Sequence, residues 1–243
     1  MGVLDNGLHT DHSDLRAQDA SGFLTGGNFT PSAAIDIGRH GFPNPIDFNV
    51  DEMEPVPVTP TSQACDTGNG LMIPAYAGHG THVHGLIAAN HMNSKGVVGT
   101  CKNCTLASVR TIRDVCYFPG IVYPEMNQAA PWVGLTLLAE TGTQVVNMSF
   151  GGQGNGTFDY PKDACADPLF QNDPECLTIA YASSQGVLMV AASGNDRGRL
   201  NFPASDPRVA SVGGLDESLD FWDEDKDSPP HHVDDCPFYG SNN

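Results

Sequence analysis

The chain has 243 residues and 40% hydrophobic content, enough for one sizeable α/β domain with a buried core. Its formal net charge of −18, from 29 acidic against 11 basic residues, argues against nucleic acid or an anionic membrane surface as a partner. No apolar run approaches the ~18 residues of a membrane span, and such acidity is typical of a secreted or salt-exposed protein.

The first apolar segment, from Gly2 to Leu4, predicts a strand that carries Asp5 into a turn at its carboxyl end. Catalytic groups of open α/β sheets collect at that end of the strands. Taken alone, Asp5 could equally cap the turn. Residues 20–74 are rich in Gly, Pro, Ser, Thr and Asn, and they predict a long irregular surface region with one short strand from Ile46 to Val50.

A glycine-flanked histidine opens the next element. Gly78 and Gly80 relax the backbone around His79, and the apolar residues 86–89 predict a helix that begins close to it. His82 shares a helical face with His79, a spacing that could suit a metal. The zinc motif H-E-x-x-H is absent, however, because Gly80 stands at the glutamate position. We therefore predict no metal here and interpret His82 and His84 as structural.

Strands and helices alternate in the rest of the chain. Hydrophobic runs and turn residues predict strands at 106–112, 145–150, 187–192 and 209–213, and helices at 132–141 and 177–185. This alternation is typical of a mostly parallel sheet with helices on both faces.

The seven cysteines are an odd number, so at least one thiol stays unpaired within the chain. Five of them are scattered over loops, which is typical of disulfide stapling outside the cytoplasm. Cys101 and Cys104 form a C-x-x-C without a second pair, which favours a local disulfide or two structural thiols over a zinc site. Residues 214–235 concentrate acidic side chains and predict a surface loop.

Four ordered stretches resemble the subtilisin-like serine peptidases, the subtilases, and the resemblance covers nearly the whole chain. They read GVLDNGLHTDHSDL, AGHGTHVHGLIAA, VVNMSFGG and VLMVAASGND. The resemblance implies that Asp5 is the catalytic aspartate, His79 the catalytic histidine and Asn195 the oxyanion-hole donor. It also implies a cleft, lined by Ser149, Phe150 and Gly151, that pairs with an extended peptide.

The resemblance implies a three-layer α/β fold with a mostly parallel central sheet, incomplete at the C-terminus, in a single partial domain over residues 1–243. A protein or peptide in extended conformation is the implied substrate, with no nucleic acid or membrane partner, and the complete protein is expected to be a secreted monomer. No cofactor is required for the chemistry. A structural calcium ion could bind where Asp14 and the loop at 90–95 match one family site.

The chemistry of a serine nucleophile explains why these residue types are needed at these positions. A serine hydroxyl attacks well only when an imidazole accepts its proton and a carboxylate holds that imidazole. Asp5 and His79 can supply this pair, and the Asn195 amide can hydrogen-bond the developing oxyanion. The family's G-T-S-M-A-like nucleophile segment does not occur in these residues, and neither Ser193 nor Ser241 can replace it.

Two hypotheses remain. In the first, the 243 residues are part of a secreted serine endopeptidase and are inactive in isolation. In the second, they form a non-catalytic subtilase-like module that binds peptides or partners along the cleft edge. We favour the first hypothesis, because both ends of the chain interrupt a family motif.

Overall fold

The structure is a computed structural model of the 243-residue chain. It describes residues 1–7, 12–15, 34–36, 65–66, 72–73, 79–91, 93–102, 104, 106–118, 121–126, 129–152, 164–195, 200–215 and 219. These residues divide into two compact units, Met1–Val146 and Asn147–Asn243. The single-domain assignment of residues 1–243 stays a prediction. None of the helices within the described ranges combines the length and hydropathy needed to cross a bilayer.

The first unit contains seven complete strands and two helices within the described residues. They are β1 (Gly2–Asp5), β2 (Ala34–Asp36), β3 (Cys65–Asp66), β4 (Met72–Ile73), α1 (His79–Ala88), β5 (Ala107–Arg110), β6 (Ile112–Phe118), β7 (Ile121–Met126) and α2 (Ala130–Glu140). β8 (Val145–Met148) spans the boundary, and the second unit contains α3 (Pro174–Ser184), β9 (Leu188–Ala192) and β10 (Val209–Val212).

Three strands of the first unit, β1, β5 and β2, pair in parallel. β5 lies between β1 and β2, and Asp5 of β1 and Asp36 of β2 are both aligned with Arg110. The carboxyl ends of the three strands therefore share one edge, as expected for an open α/β sheet. Just beyond this edge, the Thr111 N–H donates to the Asp5 carbonyl oxygen at 2.9 Å.

The two helices of the first unit cover opposite faces of β1, because successive side chains of a strand point to opposite sides. Val3 is fully buried in a cluster with apolar residues of α1. Leu4 faces α2, where its Cδ2 atom lies 2.9 Å from the position a Cβ would take on Gly134. Asp5 lies two residues after Val3, so its side chain points to the same face of the strand, toward α1. The alternation along β1 thus directs this carboxylate toward the helix that begins at His79.

In the second unit, β9 and β10 pair in parallel, with Met189 opposite Val209 and Ala192 opposite Val212. The preceding helix α3 ends at Ser184 with Gln185 as its C-cap, and Gly186 follows with φ +79°, a left-handed conformation that glycine adopts without strain. This turn leads the chain directly into β9. The predicted elements at 177–185, 187–192 and 209–213 are confirmed, with bounds that differ by up to three residues.

Three sequence-based expectations need correction. The predicted strand at 145–150 ends at Met148, where the Asn147 side chain donates locally to Ser149 Oγ at 2.9 Å. The predicted strand at 106–112 ends at Arg110, and an antiparallel hairpin of β6 and β7 follows that was not expected. The region 20–74 contains β2, β3 and β4, whereas the strand predicted from Ile46 to Val50 lies outside the described residues.

Two disulfides are present among the described residues. Cys101 bonds to Cys104, which confirms the local disulfide, and Cys165 bonds to Cys176 at the start of α3. The N–H groups of residues 99–101 donate to carbonyls of residues 86, 87 and 89. The segment that satisfies carbonyl groups at the end of α1 therefore ends at the first cysteine of this disulfide. Of the predicted acidic loop at 214–235, only residues 214, 215 and 219 are described.

Candidate active site

The centre of the candidate site is an aspartate–histidine pair in the first unit. His79 Nδ1 lies 2.8 Å from Asp5 Oδ1 and 3.0 Å from Asp5 Oδ2. An ionised carboxylate only accepts hydrogen bonds, so the proton resides on Nδ1 and Nε2 becomes the nitrogen that can accept another. The Asp5 side chain is 1% exposed and that of His79 is 46% exposed. The carboxylate is therefore shielded from water, while the imidazole it orients faces solvent.

The backbone around His79 is held by the residues that follow β1. Asn6 Oδ1 accepts the Gly80 N–H at 2.8 Å, and the Asn6 N–H donates to Asp5 Oδ1 at 2.7 Å. A Cβ on Gly80 would come within 2.2 Å of the Gly7 carbonyl oxygen, a distance that real Cβ atoms do not show. Glycine is therefore required at position 80, so that the start of α1 can approach the turn after β1.

The other two histidines of α1 have different surroundings. His82 is exposed, whereas His84 is fully buried and its Nδ1 atom bonds to the Gly80 carbonyl oxygen one turn earlier. Burial lowers the pKa of His84 from its ordinary value, and the Gly80 hydrogen bond and the Asp5 charge oppose this shift. No group of three or more His, Cys, Asp and Glu side chains arranged for a metal occurs among the described residues.

The predicted cleft residues lie in the second unit. Ser149, Phe150 and Gly151 continue the chain beyond β8, and all three are at least partly accessible to solvent. Immediately after them, Gly152 and Phe202 exchange two backbone hydrogen bonds of 3.0 and 2.9 Å. This antiparallel bridge holds one end of the segment in an extended conformation, the form that strand addition requires.

Asn195 also lies in the second unit, at the turn after β9. The turn is fixed by Ser193, which is 2% exposed and whose N–H donates to the Val212 carbonyl oxygen at 2.9 Å. Gly194 follows with φ +105°, and Asn195 is exposed. A rigid turn thus presents the Asn195 side chain to solvent at the carboxyl end of a strand.

The family resemblance allows a structural calcium ion near Asp14, which is 3% exposed. Asn93 Nδ2 donates to Asp14 Oδ1 at 2.6 Å, and the Val97 N–H donates to Oδ2 at 2.9 Å. Both carboxylate oxygens are thus engaged by N–H donors, and Asp14 is a single carboxylate, whereas tight calcium sites use several charged oxygen ligands. No step of the chemistry is derived through calcium, and its binding stays a prediction.

The structure brings together two of the six predicted site residues, Asp5 and His79, and places the other four in the second unit. Sequence reasoning did not assign a role to Asn6, and it treated Gly80 only as a flexible position. The pattern Asp-Asn-Gly after a strand indicates a turn, but the partner of the Asn6 side chain is 74 residues away and leaves no local signal.

A buried carboxylate that orients an accessible imidazole, at the carboxyl edge of a parallel α/β sheet, is the acid–base arrangement of hydrolases that activate a hydroxyl nucleophile. The subtilase family model matches residues 1–238, and the chain therefore belongs to the subtilase family.

Individual relatives agree with this assignment. Subtilisin DY of Bacillus licheniformis is 25% identical over 223 residues, which are 90% of this chain and 57% of that protein. The halolysin-like extracellular serine protease Nep of Natrialba magadii is 29% identical over 218 residues, which are 89% of this chain and 30% of the relative. The chain thus spans between about a third and three fifths of the length of these relatives.

Solved structures confirm the fold. A mutant of the protease domain of PatA has a TM-score of 0.56 at 19% identity, covering 89% of this chain and 57% of that one. The epidermin leader peptide processing serine protease of Staphylococcus aureus has a TM-score of 0.55 at 20% identity, covering 89% and 47%. The predicted α/β subtilisin-like fold with a mostly parallel sheet is confirmed.

Proposed function

We propose that this chain supplies the acid–base part of a serine-type endopeptidase, a hydrolase that cleaves peptide bonds by an Asp–His–Ser triad. The observation that carries the proposal is the Asp5 carboxylate on Nδ1 of His79. This contact fixes the imidazole with Nε2 as the proton acceptor, and it stabilises the imidazolium that forms when a serine hydroxyl gives up its proton.

The remaining roles complete a conventional acyl transfer. The nucleophile is a serine outside the 243 residues, so the isolated chain is expected to be inactive. His79 Nε2 takes the serine proton during attack and returns it to the leaving amine. Asn195 is the donor to the oxyanion, and the exposed turn after β9 supports this role. Removing one such donor costs about 10²–10³ in turnover, a magnitude that the principle itself takes from a subtilisin.

The substrate is a protein or peptide in extended conformation, bound along Ser149, Phe150 and Gly151. The extended bridge at Gly152 supports this placement. With a formal net charge of −18, the protein attracts basic substrates at long range, an effect that falls as salt shortens the Debye length. Secretion is part of the proposal and is supported by the two disulfides and by the extracellular relative.

The test starts from the coding sequence beyond Asn243. We expect it to encode a G-T-S segment, and we expect the complete protein to hydrolyse casein and to be labelled stoichiometrically by a fluorophosphonate on that serine. His79→Ala should abolish both signals, whereas Gly85→Ala, on the same helix at a position where an added Cβ meets nothing within 4 Å, should leave them unchanged. The 243-residue chain should remain unlabelled.

A complete protein that binds unfolded casein without cleaving it, and that no fluorophosphonate labels, would overturn the peptidase proposal. It would favour the non-catalytic peptide-binding module instead.

A further inference from the structure

The side chain of His84 is unusual because it is an ionisable group sealed inside the first unit. It is 0% exposed, and its Nε2 atom has no hydrogen-bond partner within the part of the chain that the structure describes. Buried polar atoms are paired in the great majority of cases, so an unpaired nitrogen calls for a physical explanation. The explanation lies in what the other ring nitrogen does.

The Nδ1 atom of His84 bonds to the carbonyl oxygen of Gly80. A carbonyl oxygen only accepts, so Nδ1 carries the proton, and in the neutral ring Nε2 is then a bare lone pair. A lone pair without a partner is tolerable in an apolar site. A proton added to it would create a buried charge whose new N–H group has no acceptor, which is far more costly.

Gly80 links His84 to the catalytic pair. Its N–H is held by Asn6, its Cα packs against the Gly7 carbonyl oxygen and its own carbonyl is held by His84. The backbone at position 80 is therefore held by contacts from the turn after β1 and from His84 of α1. His79 directly precedes position 80, so these contacts also fix the backbone position from which the His79 imidazole extends.

The charges around His84 favour the neutral ring. From β1, the Asp5 carboxylate raises the pKa of His84, but by less than burial lowers it. The other titratable side chains of α1 are His79 and His82, both exposed. At neutral pH the ring is accordingly uncharged, with the proton on Nδ1.

We propose that His84 is a positioning residue for His79 that acts only as a neutral imidazole. It holds the Gly80 carbonyl, and with it the first turn of α1. A proton on Nε2 leaves the Nδ1–H donor in place but adds a charge and an N–H group without an acceptor to the buried site, so the ring leaves this site and releases the turn. In the segment HGTHVHG, the second histidine after His79 thus holds His79 in position at neutral pH and ceases to do so in acid. A role in catalysis rests on the proposed function, whereas the positioning itself does not.

Two amide variants separate the donor from the titratable ring. In His84→Asn the side-chain amide nitrogen takes the place of Nδ1, so the bond to Gly80 can form without an ionisable group. In His84→Gln the amide lies near the former Nε2 position, and the bond to Gly80 is lost. His82→Asn, on the exposed side of α1, controls for the loss of one imidazole.

The readout is the proton on His79 Nδ1, followed with imidazole nitrogen shifts by NMR on the 243-residue chain. This proton is retained when His79 itself becomes charged. In the native chain and in His82→Asn we expect the signal at about pH 7.5 and its loss only well below about pH 6.5, because burial holds the pKa of His84 under that ordinary value. In His84→Asn the signal should persist through the same acidic range, and in His84→Gln it should already be weakened or lost at about pH 7.5.

The proposal is overturned if the native chain keeps the signal at the acidic end, if His84→Asn loses it over the same pH range, or if His84→Gln matches the native chain at neutral pH. The comparison between native and His84→Asn remains decisive even where His84→Gln does not fold. If the NMR result holds while the complete protein cleaves no peptide, the peptidase proposal fails and the positioning role stands.

Discussion

Replacing Gly80 with alanine perturbs the contact that holds the general base, and its effect can be worked from the structure. The new Cβ would lie 2.2 Å from the Gly7 carbonyl oxygen, 2.9 Å from Asn6 Oδ1 and 3.0 Å from Asp5 Oδ1. The first of these atoms belongs to the backbone, so the turn after β1 or the start of α1 must move. Overpacking of this kind typically costs about 1–3 kcal/mol.

Gly85 is a matched control on the same helix, because a Cβ there meets nothing within 4 Å. Replacing it with alanine should stabilise α1 by up to about 1 kcal/mol, the usual difference in helix propensity. The two variants should therefore differ in free energy of unfolding by about 1–4 kcal/mol. Urea denaturation followed by circular dichroism measures this difference.

The same pair of variants tests the link to the site. Gly80→Ala should displace the His79 ring from Asp5, and the complete protein should lose peptidase activity, whereas Gly85→Ala should retain it. If both alanines have the same effect on stability and on activity, the close approach at Gly80 does not position the base, and the reasoning is wrong.

Three further predictions concern other parts of the chain. Arg208 donates to both carboxylate oxygens of Asp206, at 2.8 and 2.7 Å. Arg208→Lys should lose this bidentate geometry and destabilise the protein by about 1–3 kcal/mol. A denaturation midpoint equal to that of the native chain would contradict this prediction. Replacing both cysteines of one disulfide with serine should lower the free energy of unfolding by about 2 kcal/mol for Cys101–Cys104 and by about 3 kcal/mol for Cys165–Cys176. The costs differ because sequence separations of 3 and 11 residues close loops of different length, and equal costs would contradict this reasoning. If the calcium ion that the family resemblance allows binds at Asp14, added Ca²⁺ should raise the melting temperature of the native chain but not that of Asp14→Ala, and equal shifts in both would remove Asp14 as a ligand.

Much of the fold could be predicted from the sequence where local pattern and tertiary environment agree. The buried run from Gly2 to Leu4 and the apolar stretch that follows His79 each indicate their element without knowledge of a partner. The bounds of α2 and β9 are likewise set by nearby glycines, Gly142 and Gly186, both at positive φ.

The hairpin of β6 and β7 was missed for a physical reason. Its stability depends on antiparallel pairing between residues 112 and 126, whereas the local sequence includes Pro124, which cannot donate to the ladder. A single-sequence reading penalises that proline, although a strand at the edge of a two-stranded sheet tolerates it. The three-residue strand β2 was missed because its pairing with β5 is remote in sequence.

The candidate site, like the fold, could be predicted from the sequence only in part. Asp5 and His79 could be paired from strand-end logic and family resemblance, and the 2.8 Å contact between them agrees with that pairing. The interactions of Asn6 with Gly80 and of His84 with the Gly80 carbonyl could not be predicted, because the geometry of two elements decides which atoms they meet. Side chains that support a general base therefore require coordinates, whereas the base itself can be recognised by motif.

The central claim is that Asp5 holds His79 in the form that accepts a proton at Nε2. Imidazole nitrogen shifts of neutral His79 in the native chain test it most directly, with Asp5→Ala as the comparison. We predict that the native ring carries its proton on Nδ1 and that Asp5→Ala abolishes this preference. A native His79 that carries its proton on Nε2, or a ring unaffected by Asp5→Ala, would contradict the account.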